Sequence, residues 1–145
     1  MTLSTDIAAV LNVTPNHLDR HGTMAAYTAA KARLLENQKT GSIAIIGRDD
    51  EGAFAMRSLS PGKTLTFGSK PLRAGDSGTY PLEDYIYFRD DRMDIPLISA
   101  EAIHLRGEHN LSNILAAAVI GFVAGFSTKA MEAALKDFYG VEHRL

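Results

Sequence analysis

A chain of 145 residues, 46% hydrophobic and 22% charged, is long enough for one domain with a real core and has the composition of a soluble globular protein. Its net charge of −2 gives no basis for binding nucleic acid or a membrane surface, and the absence of cysteine excludes disulfides and thiol catalysis and suits the cytoplasm. No segment is apolar and long enough to span a bilayer, and no basic-then-apolar signal peptide is expected.

In chain order, the apolar run Ile7 to Val13 reads as a buried strand, broken at the turn composition Thr14-Pro15-Asn16. A helix is expected from Met24 to Asn37 with Thr23 as N-cap, its apolar stripe being Met24, Tyr27, Lys31 and Leu34. Ser42 to Ile46 is a continuous apolar run of the kind found in buried parallel strands. Asp49 or Asp50 caps a second helix through about Arg57, and Lys63 to Phe67 is a third strand. Gly68 to Pro81 reads as loop. Tyr85 to Arg89 and Arg92 to Ile95 flank a hairpin turn at Asp90-Asp91, and Ala102 to Leu105 adds a further strand. The last third is helical: Leu111, Ile114, Leu115, Ala118, Val119 and Phe122 form one face, Gly125 is the C-cap, and Ser127 or Thr128 starts another helix that ends at Gly140. The fold class is therefore α/β, a mostly parallel sheet with flanking helices plus a small antiparallel sheet.

Chemistry concentrates after the first strand. His17, Asp19 and His21 are either nitrogen and oxygen metal ligands or turn residues whose side chains cap the backbone; a zinc hydrolase is one reading of the three. Lys31 lies on the apolar stripe. It is either a lysine whose stem packs while its amine reaches water, or a functional amine turned into a site, where removal from water favours the neutral, reactive form. Asn110, at the start of a helix, reads as an N-cap. No G-x-x-x-x-G-K-[ST] phosphate loop occurs anywhere in the sequence.

Three blocks carry a family resemblance. LNVTPNHLDRHGTMAAYTAAK at Leu11 to Lys31, GEHNLSNILAA at Gly107 to Ala117 and FYGVEHRL at Phe138 to Leu145 resemble, in order and spacing, the central ATP-binding domain of the Mur ligases. The match is nearest the branch that adds D-glutamate. The resemblance implies that His17 helps hold magnesium and that Lys31 is the lysine that becomes carbamylated, its carbamate supplying the oxygens a hard cation prefers. It also implies that Asn110 and Asn113 serve the adenine side and that His143 and Arg144 serve the nucleotide phosphates from a hinge. Asn16 departs from the family, where an acidic residue usually precedes this histidine.

The resemblance further implies a piece of a larger enzyme. Residues 1–140 would be the C-terminal half of the central ATPase domain and 141–145 the start of the hinge. The phosphate loop would lie upstream and the amino-acid domain downstream. The whole enzyme would use ATP and Mg2+ to join UDP-muramoyl-alanine to D-glutamate in peptidoglycan synthesis, and the chain alone would be inactive. The alternatives are another Mur ligase or folylpolyglutamate synthetase, or a non-catalytic nucleotide-binding or scaffold domain.

Overall fold

The computed structural model describes residues 6–13, 21–91, 93–99 and 107–134, with the side chains of 21–24 and 107–110 outside the description. It divides into two compact units, Met1–Thr66 and Phe67–Leu145. The expected strand at Ala102 to Leu105 lies outside the described residues.

The first unit is a β-α-β-α-β arrangement: β1 (Ile7–Val10), α1 (His21–Glu36), β2 (Ile43–Gly47), α2 (Glu51–Phe54) and β3 (Lys63–Phe67), whose last residue opens the second unit. β1 and β2 pair in parallel, Ile7 opposite Ile43 through Val10 opposite Ile46. Strand starts meet strand starts: Ile43 N–H donates to the Asp6 carbonyl at 2.8 Å, and Lys63 N–H to the Ser42 carbonyl at 3.0 Å. Ala44, Ile45 and Ile46 are all buried, so both faces of β2 are covered, as the unbroken apolar run requires. Ala8, Val10, Val13, Leu35, Ala44, Ile46, Ala53 and Met56 form one apolar cluster under α1 and α2.

β1 is shorter than expected. It ends at Val10, and the Val13 N–H goes to the Asp50 carboxylate rather than to a neighbouring strand. α1 begins at His21, so Thr23 is inside the helix and does not cap it. Its inner face is Thr28, Lys31, Ala32 and Leu35; Leu35 is fully buried, while Tyr27 and Leu34 are each 46% exposed. The expected stripe is thus rotated by one residue, because Leu35 and not Leu34 enters the cluster beneath. α2 is capped by Asp50 as expected but has only four residues. Beyond it the hydrogen bonds tighten to i−3, Met56 to Ala53 and Arg57 to Phe54, and the helix winds into turns.

At the amino ends of the strands, buried Gln38 donates to the Ile43 carbonyl at 3.0 Å and accepts from Ser60 Oγ at 2.6 Å. Ser60 Oγ in turn accepts from the Gly62 N–H. Gly62 passes so close to the Ser42 carbonyl that a Cβ there would collide with backbone.

The second unit holds an antiparallel meander, β4 (Gly78–Leu82), β5 (Tyr85–Asp90) and β6 (Met93–Ser99), then α3 (Gly107–Val123) and α4 (128–134). β4 was hidden from sequence by Gly78 and Pro81 and occupies the end of the expected loop. The Asp90-Asp91 turn forms, with Asp91 in the left-handed region at φ 49°. β6 runs past the expected end at Ile95 and through Pro96. The register shifts between Ile86 and Tyr87, next to Pro96, so the ladder bulges where proline lacks an N–H. α3 buries Leu115, Ala118 and Val119, and Phe122 stacks on Phe88 at 4.3 Å between ring centroids. Fully buried Thr79 donates through Oγ1 to the Leu115 carbonyl at 2.9 Å, fixing α3 on β4. Gly125, at φ 90°, closes α3 as expected, and Ser127 Oγ caps α4 by accepting from the Ala130 N–H.

Two substitutions test these contacts. Gly62→Ala should destabilise the first unit by about 1–3 kcal/mol, because the added methyl meets a carbonyl that cannot rotate away. Thr79→Val should cost about 1–3 kcal/mol by deleting the hydroxyl that crosses from strand to helix. Urea titration measures both; a midpoint unchanged for either would mean that contact contributes nothing.

Candidate functional site

Parallel α/β sheets bind ligands at the carboxyl ends of their strands. In the first unit that end is built from Leu11–Val13 after β1 and Arg48–Asp50 after β2. Arg48 is 5% exposed, and its Nη1 donates to Thr66 Oγ1 at 2.9 Å. Asp50 Oδ2 accepts two backbone N–H groups, from Ala53 at 2.9 Å and from Val13 at 3.0 Å. Gly52 packs on Val13 so closely that a Cβ would strike its Cγ2. The end of β1 is therefore held against the start of α2.

Lys31 is half buried on the inner face of α1, and its Nζ sits 5.3 Å from the centroid of the Tyr27 ring, one turn back. Stem packed and head on an exposed aromatic face is the geometry of a snorkelling ammonium. In the second unit, Asn113 is exposed on α3, off the apolar face. Asn110 is the fourth residue of α3, so it cannot be the N-cap expected from sequence; the helix opens at Gly107. His21 lies in α1 with its side chain outside the description, and His17, Asp19, His143 and Arg144 lie outside the described residues. Among the described residues no three His, Cys, Asp or Glu side chains are grouped to hold a metal.

The second unit has a polar hollow of about 540 Å3 lined by Ala74, Gly75, Asp76, Arg89, Asp91 and Asp94. Two of its charges pair. Arg89 Nε meets Asp94 at 2.8 Å and its guanidinium lies 5.2 Å from the Tyr80 ring centroid. Hydrogen bonds from Arg89 and then Tyr80 hold the Asp94 carboxyl below its ordinary range, and partial burial with Asp94 beside it pushes the Tyr80 phenol up. Asp94 thus adds stability that is present above the unfolded carboxylate range and lost as pH falls through its lower folded value.

The fold is of the α/β class with strand ends tied by polar side chains, and the chain belongs to the Mur ligase middle domain family, whose model matches residues 1–121. It is similar to the UDP-N-acetylmuramoylalanine–D-glutamate ligase of Koribacter versatilis, 39% identical over 140 residues, an alignment covering 97% of this chain and 30% of that protein. The enzyme of the same name from Bacillus mycoides is 38% identical over 139 residues, covering 96% of this chain and 30% of that protein. The chain thus spans about 30% of the length of the curated relatives it matches. The fold is similar to that of a UDP-N-acetylmuramoylalanyl-D-glutamyl-2,6-diaminopimelate–D-alanyl-D-alanyl ligase from Acinetobacter baumannii, with TM-score 0.60 and 19% identity over 90% of this chain and 28% of that one. No helix among the described residues is long and apolar enough to cross a membrane.

Sequence reasoning found Asp50 only as a helix cap and did not find Arg48. The cap signal was local; the bond to Val13 joins residues far apart in the chain and has no local signature.

The Tyr27 ring gives a direct prediction. Tyr27→Leu keeps apolar bulk but removes the π-face, so stability should change by no more than about 1 kcal/mol. Labelling of Lys31 by an amine-specific reagent, followed by mass spectrometry, should become faster. Unchanged labelling would mean that the ring does not hold the ammonium.

Proposed function

We propose that residues 1–140 are the C-terminal half of the central ATPase domain of an ATP-dependent amide ligase, with 141–145 opening a hinge to a further domain. The ligase would add D-glutamate to UDP-N-acetylmuramoyl-L-alanine during peptidoglycan synthesis in the bacterial cytoplasm, with ATP and Mg2+. The observation that carries the reading is the 39% identity to a UDP-N-acetylmuramoylalanine–D-glutamate ligase over 97% of this chain. The chain contains no phosphate loop, so by itself it should not turn over.

The carbamate half of the proposed donor set suits magnesium, while the imidazole is a softer donor than this cation ordinarily takes. His17 offers an imidazole nitrogen, and a carbamate on Lys31 offers hard oxygens where an ammonium would repel a cation. Half-burial of Lys31 leaves its amine within reach of dissolved carbon dioxide. The neutral amine attacks the carbon, an N–C bond forms, and a proton leaves to water. The product is an anion, which the negative face of the Tyr27 ring repels. Magnesium, when bound, neutralises charge on the phosphoryl group in transfer. Asn113, with Asn110 beside it, would take the adenine edge through paired donor and acceptor, and Arg144, with His143, would clamp phosphate oxygens with its planar fork.

The test uses the full-length protein that contains this chain. Phosphate release should require ATP, Mg2+, UDP-muramoyl-alanine and D-glutamate together, and His17→Ala should abolish it. Lys31→Ala should lose activity that a short added carboxylate partly restores. A different amino acid accepted in place of D-glutamate would indicate a sister ligase, and nucleotide binding without turnover a scaffold. Full activity in Lys31→Arg would overturn the carbamate role.

A further inference from the structure

We propose that the outer edge of β1 is an interaction surface that takes one further strand, contributed by a longer polypeptide of which these 145 residues are a part. The proposal rests on the functional reading above only for that longer polypeptide, and no ligase chemistry enters it. The backbone sets the direction. The Ile43 N–H donates to the Asp6 carbonyl, and β1 pairs with β2 in parallel, Ile7 opposite Ile43. Backbone groups alternate in direction along a strand, so Ala8 and Val10 turn theirs to β2 while Ile7 and Ala9 turn theirs away. β1 stands at the end of the strand order, so among the described residues no strand meets those outward groups.

The side chains agree. Ala8 and Val10 are buried in the apolar cluster, whereas Ile7, on the opposite face, is 37% exposed and Leu11, just past the strand, is 46% exposed. Parallel sheets have both faces covered, so β1 has the composition of an interior strand and the exposure of an edge. Ile-Ala-Ala-Val also lacks the features that keep edge strands from pairing: it has no charge, no proline and no bulge. β6, the edge strand of the second unit, carries Asp94, Pro96 and a register shift beside it. Size decides what occupies the edge of β1. A second copy would hold by a strand of four residues, far short of the roughly 1,200–2,000 Å2 buried in stable complexes. A strand of the same polypeptide needs no such area, because tethering makes its docking intramolecular. The chain spans about 30% of the curated relatives it matches, so proteins of this family have the length to supply one.

Amide hydrogen exchange and proline substitution test the assignment. In the 145-residue chain, the Ile7 and Ala9 amides should exchange about 100-fold faster than those of Ala8 and Val10. In the full-length protein that contains this chain, all four should be protected alike. Ala9→Pro removes an N–H that β2 does not use, and proline is tolerated at a strand edge. It should therefore leave the melting temperature of the 145-residue chain nearly unchanged and lower that of the full-length protein sharply, whereas Ala8→Pro, which breaks the ladder to β2, should destabilise both. Ile7 and Ala9 amides that still exchange fast in the full-length protein would overturn the proposal. So would amides already slow in the dilute 145-residue chain, since the chain would then fill its own edge. Protection that rises with concentration, in a chain that sediments as a dimer and is dissociated by Ala9→Pro, would make a second copy the occupant and overturn it too. Protected amides in a full-length protein without ligase activity would refute the functional reading and leave the docked strand standing.

Discussion

A parallel strand pair cannot be closed by a tight turn, and the first unit is built around that constraint. β1 and β2 pair in parallel with the whole of α1 between them. Each strand must therefore be tied at both ends by groups distant in sequence. At the amino ends Gln38, Ser42, Ser60 and Gly62 do this through side-chain and carbonyl bonds. At the carboxyl ends Arg48 reaches Thr66 and Asp50 reaches Val13. The polar groups buried in this unit are thus mostly the fastenings of its strands, and each has a partner, as burial demands.

The second unit solves the opposite problem. Its strands are neighbours in sequence, so two short turns suffice, and the difficulty is covering one face of a meander. α3 does so with Leu115, Val119 and Phe122, and a single buried hydroxyl on Thr79 sets where the helix lies. A threonine bonded to a carbonyl in the middle of a helix is specific in a way that apolar packing is not. It fixes α3 both along and around its axis, and Asn113 is carried on the exposed side of that helix.

Elements with continuous apolar runs or clear punctuation were legible from sequence: β2, β3, the Asp90-Asp91 turn, the inner face of α3 and the Gly125 cap all stand where composition put them. The exceptions have physical causes. β4 was hidden because Gly78 and Pro81 are loop residues by propensity and strand residues only by pairing with β5. The face of α1 was misjudged by one position because alanines on several sides left no sharp apolar edge, and the choice between Leu34 and Leu35 was made by the cluster beneath them. In the site, Lys31 was legible as the odd residue on its helix face. Asp50 was legible only for its local bond, since no pattern in one segment announces an amide thirty-seven residues away.

The contrast between the units has a kinetic consequence. A meander of adjacent strands closes small loops and gains contacts on the microsecond scale, whereas pairing β1 with β2 first requires ordering the chain around a helix. Topology therefore favours closure of the hairpins before the parallel pair. The Asp50–Val13 bond can form only after β1 and β2 are in register, which makes it one of the last contacts acquired.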